Sequence, residues 1–165
     1  MTDNSTPRTL EGDALETWSA FATVLEWLPA ALDAQLLRDS DVTHFEYGIL
    51  FALAHAPDRT LRLSVLAGYA NSSLSRLSRA ATRLEKRGWL RREPDPADGR
   101  FTLAILSDEG QSQFDSATPG HAATVHTLVL DSLTRAQAVQ LRDISGRIAR
   151  SINEAGSWQP DSSAR

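Results

Sequence analysis

The stretch Ser73-Leu74-Ser75-Arg76-Leu77-Ser78-Arg79-Ala80-Ala81-Thr82-Arg83-Leu84-Glu85-Lys86-Arg87-Gly88 decides how this chain is read. At the turn angle of an α-helix, Leu77, Ala81 and Leu84 fall within about 60° of one another. Ser75, Arg76, Arg79, Arg83 and Lys86 spread over about 100° on the opposite side. The segment is predicted to be a helix with one apolar face and one basic, hydroxyl-bearing face. Ser72 or Ser73 is its predicted N-cap, and Gly88 supplies the left-handed residue that ends it.

Working outward, Ser64 is predicted to cap a short helix through Leu66 and Ala67, stopping near Gly68. Thr60-Leu61-Arg62 before it reads as a short edge strand. After Gly88, the runs Trp89-Leu90-Arg91-Arg92 and Phe101-Thr102-Leu103-Ala104-Ile105-Leu106 flank a turn-rich Pro94-Asp95-Pro96-Ala97-Asp98-Gly99. Two β-prone runs around an Asp-Gly turn predict a hairpin. A helix-turn-helix followed by a hairpin is a winged helix.

Farther out, Thr43 with Glu46 three residues on predicts a capping box. Phe45, Ile49, Leu50 and Leu53 continue that helix to about His55-Ala56-Pro57. Apolar residues at Leu15, Trp18, Phe21, Ala22, Leu25, Leu28, Leu32 and Leu36 predict a first helix, capped by Asp13 and kinked or interrupted at Pro29. Ser107 with Glu109-Gly110 marks another helix start. Helical pattern resumes near Ala122, runs to Leu133, and returns after Thr134 through Val139, Leu141, Ile144, Ile148 and Ile152. A small winged domain cannot bury all these terminal stripes, and a second copy would. The fold class is mainly α with a small β-hairpin wing: a winged helix-turn-helix domain plus N- and C-terminal dimerisation helices. The expected division is a disordered tail at residues 1–12, a single domain over 13–153 and a loose tail at 154–165. Within that domain the winged helix-turn-helix spans about 43–106, and the dimerisation helices about 13–38 and 107–153.

The chain has 165 residues, 41% hydrophobic and 23% charged, in line with one ordinary globular domain. It has no cysteine, which excludes a disulfide scaffold, a thiolate zinc site and a thiol redox motif. No run is apolar enough for a membrane span, and the first residues lack the order of a signal peptide. A soluble, cytoplasmic protein without a membrane partner is the expectation. The net charge of −4 hides a split: residues 71–100 carry +4 and the remainder −8. Sixteen of the seventeen basic residues are arginine, which suits bidentate recognition of phosphate and guanine.

These features make the basic helix a candidate reader of the DNA major groove. Ser75, Arg76 and Arg79 in its N-terminal half face base edges, and Arg83 extends the same face. The amides near Ser73 suit a phosphate. Lys86 and Arg87, farther back, are placed against the sugar-phosphate backbone. Arg100 at the hairpin tip is placed for the minor groove, Asp98 holds it or the turn, and Arg91 adds charge to the hairpin. A solvated amphipathic helix with a Glu85 ion pair, and plain Asp-Gly turn chemistry, account for part of the same pattern. The histidines give no metal geometry: His44 and His55 lie about 16 Å apart along a helix, and His121 and His126 about 140° around one. No metal and no cofactor are expected. Trp18, Trp27, His44, Phe45 and Tyr47 read either as core or as the lining of a cleft, and no ligand site is assigned. No catalytic signature such as GxSxG, GxGxxG, a P-loop or HExxH occurs, so no enzyme is expected. The competing reading is a winged-helix module that binds an acidic protein partner rather than DNA.

The run Leu63-Ser64-Val65-Leu66-Ala67, with Ser78-Arg79, Arg83 to Trp89, Arg91-Arg92, Asp95 to Arg100 and Leu106-Ser107-Asp108-Glu109-Gly110, resembles the MarR-type transcription regulators. The likeness extends in pattern over roughly residues 13–153. It implies an obligate homodimer on a pseudo-palindromic operator in double-stranded DNA. It also implies repression, relieved by a small aromatic or anionic effector. By position it carries the DNA-reading role to Ser75, Arg76, Ser78 and Arg79, and the wing pair to Arg100 and Asp98. Two places depart from the pattern. Gly99 stands where many members have a basic residue, and Asn71-Ser72-Ser73 is polar where many have an apolar residue before the cap.

Overall fold

The computed structural model describes residues 9–156, with side chains to Ile152. Of the expected tails at 1–12 and 154–165, residues 1–8 and 157–165 lie outside the described residues. Nine regular elements follow in order: α1 (Asp13–Ser40), α2 (His44–Ala54), β1 (Thr60–Arg62), α3 (Leu63–Tyr69), α4 (Leu74–Lys86), β2 (Leu90–Pro94), β3 (Thr102–Leu106), α5 (Asp108–Leu128) and α6 (Arg135–Gly156). Short 3₁₀ turns sit at Pro57–Arg59 and Leu130–Ser132. The three strands form one antiparallel sheet in the order β1-β3-β2, with Leu90 opposite Leu106 and Leu61 opposite Ala104. The hairpin and the short edge strand thus join as one wing.

Local chemistry explains most boundaries. The Thr43 hydroxyl accepts from the Glu46 amide, and the Glu46 carboxylate accepts from the Thr43 amide, so the capping box is complete. Ser73 caps α4 by accepting from the Arg76 amide. At its other end Gly88 takes φ 75°, and Trp89 N–H to Leu84 O with Gly88 N–H to Glu85 O closes a Schellman motif. The polar Asn71 sits in the α3–α4 turn at φ 42°, a left-handed conformation that asparagine tolerates better than an apolar side chain.

Several expectations need correction. Asp13 does not cap α1; Gly12 holds that place without a side-chain bond, and Asp13 is the first helical residue. Pro29 does not interrupt α1, which is continuous to Ser40. Both Pro29 and Leu25, whose carbonyl loses its partner, are exposed, and water can satisfy it. Ser64 lies inside α3, and Arg62 occupies the N-cap because the strand passes straight into the helix. Helix α5 runs unbroken through Pro119 and ends at Leu128 rather than Leu133. Helix α6 continues to Gly156, past the expected end at 153. The wing turn is not a two-residue Asp-Gly turn. Two successive turns, Asp98 N–H to Asp95 O and Phe101 N–H to Asp98 O, span it, and Gly99 has no positive φ.

The core sits where α2, α4 and the sheet meet: Leu50, Leu53, Leu66, Leu77, Leu84 and Ala104 are inaccessible or nearly so. Leu36 of α1 and Phe114 and Ala117 of α5 close it from one side. Only the C-terminal part of α1 is buried, at Leu32, Gln35 and Leu36. Its Leu15, Trp18 and Trp27 are exposed, as are Leu141, Ile144 and Ile148 of α6.

Gly110 marks the tightest joint, between α5 and the wing. A β-carbon there would run into the Trp89 carbonyl and lie 2.7 Å from Leu106 Cδ1. Gly110→Ala is expected to cost about 3 kcal/mol or more. Gly48→Ala, which meets open space in α2, should be neutral or stabilising by up to about 1 kcal/mol. Urea unfolding of both variants checks the contrast.

Candidate nucleic-acid interface

Helix α4 buries Leu77, Ala80, Ala81 and Leu84 and turns Ser75, Arg76, Arg79, Arg83 and Lys86 to solvent. The face expected from the helical wheel is the face observed. What the surroundings do to its cations differs residue by residue.

On one flank of α4 an open concavity of about 490 Å³ is lined by Arg76, Arg79, Arg83, Phe45, Thr43 and Asp33. The Arg76 guanidinium carbon lies 4.5 Å from the centre of the Phe45 ring. Arg79 makes only a long Nε–H to Ser75 O contact at 3.4 Å. Among the described residues neither arginine has a carboxylate partner. Arg83 is different: its Nε–H donates at 2.7 Å to Glu46 Oε1, and Glu46 is buried.

On the other flank, a shallower groove between α4 and the wing is lined by Ser78, Leu74, Ser64, Arg100, Phe101 and Thr102. Arg100 is 85% exposed, and its only partner among the described residues is Asp98, at 2.6 Å. The Arg100 guanidinium and amide donate to Asp98 and hold its carboxyl below the usual range, while Asp98 raises Arg100 in turn. The wing root is pinned more firmly. Arg62 bonds the buried Asp95 at 2.6 Å and stacks 4.4 Å above Phe101. The Ala97 amide and then Arg62 hold the Asp95 carboxyl low despite its burial.

The sequence-derived residues therefore divide. Arg76, Arg79 and Arg83 come together beside α2, and Ser78 and Arg100 beside the wing. Ser73 spends its oxygen on the cap, and Ser75 stands beside it, their hydroxyls 3.2 Å apart. Ser78 is half-buried and accepts a long bond from Arg92, which is itself paired with Glu85 at 2.6 Å. Arg91 pairs with Glu93 on its own strand and lines neither concavity. Arg87 is tied to Asp41 and stacks on Trp89. Four contributors escaped the sequence reading: Phe45 as a platform, Glu46 as the partner of Arg83, and Arg62 with Asp95 at the wing root. The sequence offered Phe45 as core or cleft lining and Glu46 as part of a cap, and the last pair is 33 residues apart.

Aromatic residues on α2 and α5 also meet. His121 lies 4.5 Å from Tyr47 and 5.7 Å from His44 between ring centres. Spacing along the chain compared His44 with His55 and His121 with His126, and so missed this contact across helices. Burial, then the neighbouring His44, pushes the His121 imidazole below its ordinary value. Trp18 and Trp27 are not with this group; both are on exposed parts of α1.

A family model described as MarR family matches residues 40–100. The chain is 40% identical to Sco3205 of Streptomyces coelicolor, a MarR family transcriptional regulator solved in complex with DNA. That likeness covers 96% of this chain and 95% of that one, with a TM-score of 0.86. AbsC of the same organism, also a MarR family transcriptional regulator, is 28% identical over 89% of this chain and 99% of its own, with a TM-score of 0.83. Among curated proteins, Transcriptional regulator HosA of Escherichia coli O111:H- is 34% identical over 79 residues. The chain spans 57% of that protein's length, with the match covering 48% of this chain.

Burial raises the Glu46 carboxyl, but the Thr43 amide, Arg83 and the Thr43 hydroxyl outweigh it and hold the group below its ordinary 4.5. A depressed carboxyl contributes stability that is present above its unfolded value and lost as pH falls through its folded one. Glu46→Gln should therefore flatten the acid limb of the stability curve below about pH 4.5. It should also cost about 1–3 kcal/mol at neutral pH, read by urea unfolding across a pH series.

Proposed function

Because the chain belongs to the MarR family of transcription regulators, we propose that it binds double-stranded DNA sequence-specifically, as a homodimer on a pseudo-palindromic operator. In this reading it represses, and a small aromatic or anionic effector releases it. The observation that carries the reading is a helix face with two guanidiniums that no acid holds, beside a wing tip whose guanidinium is 85% exposed. Arg76 and Arg79 of α4 have no carboxylate partner among the described residues, and Arg100 is held only by a turn aspartate. Eight cations lie between residues 71 and 100, and acids consume several of them. Those without an acid partner among the described residues, Arg76, Arg79 and Lys86, lie on the exposed face of α4 that a major-groove helix presents.

The homodimer is supported by the apolar ends of the chain. Phe21, Val24, Trp27 and Leu28 of α1 line an open groove with Leu128, Leu133 and Leu141, and α6 exposes Ile144, Ile148 and Ile152. Faces this apolar are stable in water when a second copy covers them, and two copies present two α4 helices to two half-sites. The effector reading is supported by the junction of α1, α2 and α5. There Gln35 Oε1 and His121 Nδ1 are buried without a hydrogen-bond partner among the described residues, beside aromatic rings that suit a small planar molecule. Ser73, Ser75, Ser78, Arg83, Arg91 and Asp98 complete the proposed interface as cap, hydroxyl, strut and turn contributions around the three readers.

Arg79→Ala and Arg100→Ala are each expected to weaken operator binding by about 1–3 kcal/mol and to leave the dimer intact. Fluorescence anisotropy on a duplex from upstream of the gene, against a scrambled duplex over a salt series, measures the first. Light scattering at twice the chain mass measures the second. Unchanged affinity in both variants would remove the reading face from α4 and the wing. Equal, weak binding of the unaltered chain to both duplexes would favour an acidic protein partner instead.

A further inference from the structure

We infer that Phe45 is a positioning residue for base readout: its ring holds the Arg76 guanidinium flat and so sets the base preference at one position of the operator. The inference rests on the reading of α4 as the DNA-facing helix. Arg76 is the third residue of α4, in the turn that enters a major groove first. Its guanidinium carbon is 4.5 Å from the Phe45 ring centre. Stacking engages the face of the guanidinium and leaves the N–H edge, the part that reads guanine O6 and N7, unspent. No hydrogen bond or ion pair of the Arg76 side chain occurs among the described residues.

The platform is itself fixed, although it belongs to another helix. Phe45 is the second residue of α2 and packs against the core. The residue before it donates its amide to Asp33 Oδ1 of α1 at 2.7 Å, and the residue after it, Glu46, closes the capping box and grips Arg83 of α4. The Phe45 ring thus has one place relative to α4, and Arg76 inherits it. Arg79, which lines the same concavity, has no such platform. Its only contact among the described residues is with its own helix backbone. The two readers are therefore unequal: Arg76 is oriented before DNA arrives, and Arg79 is oriented by the DNA.

The test uses the full chain and the best-bound duplex selected from a randomised pool. Binding to every single-base-pair variant of that duplex is measured for the unaltered protein, Phe45→Leu, Phe45→Trp, Arg76→Ala and the double variant Phe45→Leu/Arg76→Ala. Phe45→Leu should reduce a preference of tenfold or so at one base pair toward unity. The base pair affected should be the one relaxed by Arg76→Ala, and the double variant should lose nothing further there. Phe45→Trp, which keeps a π face, should retain the preference. The slope of affinity against salt should be unchanged in Phe45→Leu, since no phosphate contact is removed. A Phe45→Leu protein that folds, by its thermal melt, and keeps every base preference overturns the inference. So does a uniform loss across all sequences with a shallower salt slope, which would make Arg76 a phosphate contact. If Phe45→Leu fails to fold, loss of the preference in a folded Phe45→Trp protein equally overturns it. If the unaltered chain shows no preference for any duplex, the DNA reading of α4 fails and this inference with it.

Discussion

The Glu46 carboxylate is the point through which the parts of this molecule are held in register. It is buried, and it accepts from the Thr43 amide, the Thr43 hydroxyl and the Arg83 guanidinium. The first two bonds begin α2 at His44, and the third ties α2 to α4. Next to it, the His44 amide bonds Asp33, which ties the same turn to α1. A buried carboxylate is costly unless its charge is met. Here three donors from two elements meet it, so α2 cannot shift without leaving a charge unpaired. The apolar packing of Leu50, Leu53, Leu77 and Leu84 supplies most of the stability of the joint. The carboxylate supplies its direction.

That constraint explains why charge count alone is a poor guide to the interface. Arg62, Arg83, Arg87 and Arg92 are all satisfied by acids of this chain and serve as struts. They hold the wing root, the α2–α4 joint, the α1–α2 turn and the α4–β2 joint. A guanidinium suits this work because its fork meets a carboxylate in a fixed geometry. Arg76 and Arg79 are left without a carboxylate partner among the described residues, and their neighbours are a ring and the helix backbone. Within an arginine-rich segment, the working surface is defined by which acids fail to reach it.

Two features of the chain stand without partners among the described residues. The outer parts of α1 and α6 expose leucine, isoleucine and tryptophan, while the junction of α1, α2 and α5 buries polar atoms of Gln35 and His121 that have no partner among the described residues. Under the proposed function a second copy covers the first and the effector meets the second. His44 and Tyr47 flank Phe45 and Glu46 on α2, and the His121 ring of α5 lies against both of them. The junction thus abuts the helix start that carries Phe45 and Glu46.

The sequence by itself determined the element order, the basic face of α4, the Thr43 capping box, a cap at Ser72 or Ser73, the helix start at Ser107 and the Gly88 stop. These depend on neighbours within four or five residues, where helical period and backbone hydrogen bonding leave few alternatives. It also carried the likeness to the MarR family from Leu63 to Gly110. It expected Pro29 to kink or interrupt α1 and a helix to resume only near Ala122, whereas α1 and α5, which pack on each other, run on through Pro29 and Pro119. Only the tertiary structure decided which arginines are free. That outcome turns on pairs such as Arg62–Asp95 and Arg83–Glu46, 33 and 37 residues apart. It also brought Phe45 under Arg76 and His44 against His121. No periodicity encodes such contacts, because they arise when the hydrophobic core sets the angle between two helices.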